Sequence, residues 1–187
     1  MAKAGLNIPE AVLLLRQGEV IAYPTEAVYG LGCDPLNYDA VKQLLEIKSR
    51  PESAGLILIA DDFSRLRAWT DEQVPIQREQ VFESWPGPVT WLFPKSALVP
   101  GWISGQHDSV ALRVTNHPVC RALCAAFNGP VVSTSANRSG EQPARDRNQL
   151  EASLGVEIAG ILEGDIGNQK NPSKIRDART GKTIRSA

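Results

Sequence analysis

Gly55-Leu56-Ile57-Leu58-Ile59-Ala60 is the stretch that decides the fold class. It is too short and too apolar for a surface helix, and it lacks the alternation of a half-exposed strand. It therefore reads as a central strand buried on both faces. Upstream, a helix is predicted from about Asp39 to just before Pro51, with Val41, Leu44 and Leu45 on one face. Further back, a helix over Pro9–Gln17 stops at Gly18, and Glu19–Tyr23 reads as a short buried strand ended by Pro24. The segment Pro24–Gly32, with its two glycines, reads as a loop or turn.

Downstream, Asp61 or Asp62 caps a helix predicted to run through Trp69, with Phe63, Leu66 and Trp69 on one side. Another helix is predicted over roughly Pro75–Trp85 and is ended by Pro86-Gly87-Pro88. Val89–Phe93 and Ser109–Thr115 read as strands, the second from the alternation of Val110, Leu112 and Val114 with Ala111 and Arg113. His117–Phe127 reads as a helix and Pro130–Ser133 as a strand. Glu151 falls in a last short helix, and Glu157–Leu162 in a strand. Several strand-to-strand steps have no full helix between them, which favours a mixed sheet over a doubly wound one. No repeat, linker or domain boundary is visible. The expectation is one domain over residues 1–187, with a short lead (1–7) and a tail (170–187).

Hydrophobic residues make up 42% of the 187 and charged residues 22%, the proportions of a globular protein. Twenty Lys+Arg against 21 Asp+Glu exclude a generally polybasic protein, though not a local basic site. The tail holds six basic residues and one acidic one, a net of +5 that leaves −6 for the rest. No stretch approaches the roughly 20 apolar residues of a membrane span, and no secretory leader is visible, so no membrane role is expected. Three cysteines cannot all pair within the chain and fit a reducing cytoplasm. With no exposed apolar stripe evident, a monomer is expected.

Lys48 falls at i+7 from Val41, where the apolar stripe should continue. It reads either as a snorkelling lysine at a helix end or as a ligand-binding cation. Arg50 follows two residues later, and Pro51 biases it towards extended backbone. The pair thus lies beside the predicted central strand, where open α/β sheets tend to hold ligands. The cluster Ser133-Thr134-Ser135-Ala136-Asn137-Arg138-Ser139-Gly140 also follows a strand, and is either a self-satisfied turn or an anion-binding loop. Thr25 and Glu26 carry the same ambiguity. Arg113 points either to solvent or into a polar site.

Other patterns lead nowhere. Gly30-Leu31-Gly32 lacks the third glycine of a dinucleotide-binding loop, and no phosphate-loop motif occurs. His107-Asp108-Ser109 are adjacent and cannot form a side-chain relay. His117, Cys120 and Cys124 lack a fourth metal ligand and read as part of a buried helix face. With no nucleophile-and-base pair, any enzyme here works by positioning and charge.

Ile21-Ala22-Tyr23-Pro24-Thr25-Glu26, Tyr29-Gly30-Leu31-Gly32, Lys48-Ser49-Arg50-Pro51, Trp85-Pro86-Gly87-Pro88-Val89-Thr90, Val110-Ala111-Leu112-Arg113-Val114 and the 133–140 cluster occur in the order seen in the YrdC-like family. The chain resembles that family from about Ile8 to Arg185. The resemblance implies a twisted, open, mixed but mainly parallel α/β sheet with flanking helices around a concave basic cavity. It also implies an activity that converts L-threonine, bicarbonate and ATP, with Mg²⁺ and no organic cofactor, to threonylcarbamoyl-adenylate and pyrophosphate. Downstream proteins then transfer the threonylcarbamoyl group to tRNA.

By residue matching, Lys48 and Arg50 would be catalytic and would bind ATP together with Thr90, Asn137, Arg145 and Arg185. Thr25, Ser135 and Ser173 would bind threonine, and Arg113 would line the cavity. Longer relatives carry a threonine at Ala27 and a histidine at Ile59, so no threonine contact is carried over from that histidine. They also carry a second domain, so closure over the adenylate is expected to fall to the tail, 170–187. Two rival readings remain. One is an RNA-binding ribosome-maturation factor using the same basic surface. The other is a carbamoyl-transfer module, which the short chain disfavours.

Overall fold

The computed structural model describes residues 3–186. Ten strands form one open sheet: β1 (Lys3–Leu6), β2 (Ile21–Pro24), β3 (Tyr29–Gly32), β4 (Ile57–Ala60), β5 (Val89–Pro94), β6 (Ser109–Val114), β7 (Val131–Ser135), β8 (Gly160–Leu162), β9 (Lys174–Asp177) and β10 (Thr183–Arg185). Their spatial order is β1-β8-β2-β3-β7-β4-β6-β5-β9-β10. The Gly55–Ala60 run supplies β4, which lies between β7 and β6 and is largely buried. Four of the nine strand pairings are parallel, so the sheet is mixed but not mainly parallel. Five are antiparallel: β2–β3 and β9–β10 are hairpins, β5 runs against β6, and β7 inserts antiparallel between β3 and β4.

The helices cover both faces. On one, α1 (Ile8–Arg16) and α5 (Pro118–Phe127) bury Leu15, Leu123 and Cys124 against Ile21, Tyr23, Ile59 and Val131. On the other, α2 (Tyr38–Ile47), α3 (Arg78–Glu83) and α6 (Arg147–Leu154) pack Leu44, Val81 and Leu150 into a core with Leu58, Trp91 and Leu112. The sequence reading did not name the caps of the first two helices. Asn7 and Glu10 form a reciprocal capping box on α1, and Asn37 caps α2.

Several elements differ from the sequence reading. The 24–32 segment holds a strand, β3, because its glycines serve close approach and not turning. A Cβ on Gly32 would sit 2.4 Å from the Val132 carbonyl oxygen and 2.7 Å from the Tyr23 ring. Gly32→Ala is therefore expected to cost about 2 kcal/mol or more, read from urea denaturation. The predicted 61–69 helix is a pair of 3₁₀ turns, Phe63–Arg65 and Arg67–Trp69, with Asp62 capping the first. The 75–85 helix shrinks to α3, because Gln77 donates its N–H to the Ala178 carbonyl, 2.7 Å away. A short helix, α4 (Gly101–Ser104), had no signal beyond one turn of chain. The tail, expected as a lid, supplies β9 and β10, and the lead supplies β1.

Candidate functional site

The register sets which side chains share a face. Ile57 pairs with Ser133, Gly30 with Ser135, and Ile59 with Arg113, so these residues lie on the α1/α5 face of the sheet. Beyond the area those helices cover, the same face floors a cavity of about 270 Å³. Its walls include Thr25, Arg50, Arg113, Ser135, Ser173 and Arg185, all singled out by the sequence. Lys48, Thr90, Asn137 and Arg145 are not among its lining residues.

The α2 C-terminus explains how Lys48 and Arg50 part company. The Ser49 N–H donates to the Glu46 carbonyl (2.9 Å) and the Arg50 N–H to that of Leu45 (3.0 Å), while Ser49 adopts a left-handed φ of 50°. This is a Schellman reversal with serine where glycine is usual. Lys48, still helical, is 3% exposed, and its Nζ donates to the carbonyls of Ser135 (2.6 Å) and Asn137 (2.8 Å). Arg50, past the reversal, donates to the Ala54 and Gly55 carbonyls (3.2 and 3.0 Å) and reaches the cavity. Its Nε is buried without a partner.

Burial, reinforced by the neighbouring Arg50 charge, pushes the Lys48 ammonium down to about 8 from its usual 10.5. Below pH 8 both folded and unfolded chains hold this proton, and the group costs about 3 kcal/mol of stability. Between about pH 8 and 10.5 the unfolded chain holds more of it, so Lys48 adds stability as pH rises. Urea denaturation of the protein and of Lys48→Met should show the protein gaining about 2–3 kcal/mol relative to the variant from pH 7 to 10.

Two loops complete the walls. Thr25 donates both its N–H (3.1 Å) and its hydroxyl (2.7 Å) to the Val28 carbonyl, which fixes the turn after β2. The segment after β8 lies along that turn: the Gly167 N–H donates to the Thr25 carbonyl (2.8 Å) and that of Gln169 to the Glu26 carbonyl (3.0 Å). It brings Gln169, Asn171 and Ser173 to the cavity. Gln169 and Asn171 carry no local motif, and the sequence reading did not find them. Thr90, fully buried, faces the same side as Arg113 and donates its hydroxyl to Ser173 Oγ (3.1 Å). Arg185 donates to the Ser173 carbonyl (2.9 Å). Arg145 lines a separate cavity that shares Tyr29 with the first, and donates to the Lys170 carbonyl.

Three guanidiniums therefore meet in one cavity, and the electrostatics show it. Burial first, then the charges of Arg113 and Arg50, lower the Arg185 pKa from its usual value, and burial lowers that of Arg50. Glu26 is the one carboxylate in the lining. Burial opposes its ionisation. The Arg113 guanidinium at 3.5 Å and the Thr115 hydroxyl, donating to Oε1 at 2.6 Å, outweigh that and hold its carboxyl below the usual range. Arg113 is thus turned inward, which settles the choice its strand position left open. The cysteines of α5 are free and buried. Cys120 donates to the Pro24 carbonyl and Cys124 to that of Ile59, and burial, with Asp61 nearby, pushes Cys124 up to about 12.

Fold and cavity together define an open-sheet α/β protein with a crevice where three guanidiniums and several hydroxyls converge among apolar walls. The family model Sua5_yciO_yrdC, described as "Telomere recombination", matches residues 13–187, and the chain belongs to that family. It is 52% identical over 179 residues to the threonylcarbamoyl-AMP synthase of Coxiella burnetii, covering 96% of each chain. Among solved structures it matches P. abyssi Sua5 complexed with L-threonine at TM-score 0.83 and 30% identity. That alignment covers 95% of this chain and 54% of the longer Sua5 chain. It also matches E. coli YciO at TM-score 0.84 and 23% identity, covering 98% of this chain and 94% of the other, a likeness of fold.

Proposed function

We propose that the protein is a threonylcarbamoyl-AMP synthase, converting L-threonine, bicarbonate and ATP to threonylcarbamoyl-adenylate and pyrophosphate. The observation that carries this reading is the convergence of Arg50, Arg113 and Arg185 on one cavity whose walls also present Thr25, Ser135 and Ser173. The similarity to curated synthases supports it.

Threonine's amine condenses with bicarbonate, forming a C–N bond as a C–O bond breaks and water leaves, to give a carbamate. A carbamate oxygen then attacks the α-phosphorus of ATP, forming one P–O bond as the bond to the departing pyrophosphate breaks. Two anions must meet, and unit charges at 4 Å repel by about 4 kcal/mol at an effective dielectric of 20. Arg50, Arg113 and Arg185 offset that repulsion with bidentate donors fixed before the reaction begins. Thr25, Ser135 and Ser173 hold threonine. Thr90 acts by orienting the Ser173 hydroxyl, and Arg145 reaches the nucleotide from the adjoining cavity.

Among the described residues no cluster of carboxylates is placed to hold the Mg²⁺ that the family implies. Glu26, the one candidate ligand in the lining, is held by Arg113 and Thr115. The product would pass to proteins that transfer threonylcarbamoyl to tRNA. The free, buried cysteines suit the cytoplasm, and no helix among the described residues is long and apolar enough to cross a membrane.

The test is pyrophosphate release from ATP with each of the twenty amino acids, with and without bicarbonate. Release is expected with threonine and to require bicarbonate. Release indifferent to both, or only a steeply salt-dependent binding to RNA, would overturn the assignment.

A further inference from the structure

Lys48 is a cation beside an anion site, yet its charge is directed elsewhere. Its Nζ sits between the carbonyls of Ser135 and Asn137, it is 3% exposed, and it is absent from the cavity lining. Two further bonds join the same two elements. The Ser139 N–H donates to the Lys48 carbonyl (2.8 Å), and Arg138 Nη1 donates to the Ile47 carbonyl (3.0 Å). The C-terminus of α2 and the loop after β7 are thus joined by four hydrogen bonds, two of them from one ammonium.

That attachment has a geometric consequence. A trans peptide plane points its C=O and N–H in opposite directions. With the Ser135 carbonyl turned to Lys48, the Ala136 N–H faces the other way and donates to the Tyr29 carbonyl at 2.8 Å, on the strand whose Gly30 lines the cavity. The ammonium therefore sets the orientation of the peptide directly after Ser135, the residue that presents a hydroxyl to the cavity. An ammonium has three N–H bonds and the neutral amine two, so two carbonyls can be held in either protonation state.

We propose that Lys48 is a positioning residue that acts through the Ser135–Asn137 loop, its ammonium committed to two backbone carbonyls and not to the bound nucleotide. The assignment rests on the reading above in one respect, that Ser135 touches substrate.

A double-mutant cycle separates the two roles. Pyrophosphate release is measured for the full chain, Lys48→Met, Ser135→Ala and the double variant. If Lys48 acts through the loop, Lys48→Met lowers kcat/KM about a hundredfold and Ser135→Ala about tenfold. The double variant is then no worse than Lys48→Met alone. A double variant lower by about a thousandfold, the product of the two single effects, overturns the proposal, because independent ligands add in free energy. Should Lys48→Met fail to give a cooperative thermal transition, Arg138→Met replaces it in the cycle. It removes another of the four bonds from outside the cavity, and the same two outcomes decide. If the full chain itself releases no pyrophosphate, the synthase reading falls while the loop attachment is still decided by hydrogen exchange. Faster exchange of the Ala136 and Ser139 amides in Lys48→Met supports it, and unchanged exchange overturns it.

Discussion

Replacing Arg50 by alanine is expected to lower kcat/KM for pyrophosphate release by about a hundredfold or more, with the fold intact. Losing one pre-positioned charged donor at a developing oxyanion typically costs about 3–4 kcal/mol, and a guanidinium fork facing phosphate is a strong donor of that kind. Stability should change little, because two effects oppose. The variant loses hydrogen bonds to the Ala54 and Gly55 carbonyls, each contributing about 1 kcal/mol. It also removes one of three guanidiniums that crowd the cavity, where Arg50 already disfavours the charge on Arg185. Arg50→Lys keeps the charge and loses the fork, so it should recover only part of the rate. Steady-state pyrophosphate release beside a thermal melt checks both halves. Parent-like turnover in Arg50→Ala would remove this residue from the site.

What was legible in the sequence follows from how local each signal is. The Gly55–Ala60 run and the alternation in Ser109–Val114 are self-contained, and both became inner strands of the sheet. Helix α5 likewise sits in a few consecutive residues, whereas the Asn7 and Asn37 caps of α1 and α2 were missed. Strand β3 was hidden because its glycines resemble turn residues, and part of their use, clearance for the β7 backbone at Val132, lies 100 residues away in the chain. Strands β9 and β10 were hidden by charge. Strand β10, at the sheet edge, needs little apolar sequence, and in β9 beside it Arg176 lies with its guanidinium 4.4 Å from the Trp91 ring centroid. The Lys48-Ser49-Arg50 spacing marked a site, but only the reversal at Ser49 shows that its two cations face different partners. Convergence of Arg113 and Arg185 on Arg50 depends on sheet order, which no window of sequence contains.

The tail was expected to behave as a detachable lid, and the structure leads to a different result for a chain ended after Ser173. Such a protein loses β9 and β10, leaves β5 as an open sheet edge, and removes fully buried Ala178 from the core. It also uncovers Trp91, itself fully buried, by removing the Arg176 side chain stacked on it. Gln77 loses the carbonyl that receives its N–H and fixes the start of α3. Uncovering a large aromatic and an unpaired strand together costs about 3–5 kcal/mol, a large share of a small domain's stability. Insoluble protein, or a melting temperature lower by about 10 °C or more, is therefore expected. A chain ended after Lys182 is the gentler variant. It keeps β9, Ala178 and the Lys182 carbonyl that accepts the Asp177 N–H, and loses only β10 with Arg185. That variant should fold, bind ATP about tenfold more weakly through loss of one cavity cation, and release adenylate faster. If the chain ended after Ser173 melts like the parent and loses only product retention, the tail is a lid after all. The pairing of β9 with β5 would then contribute little to the fold.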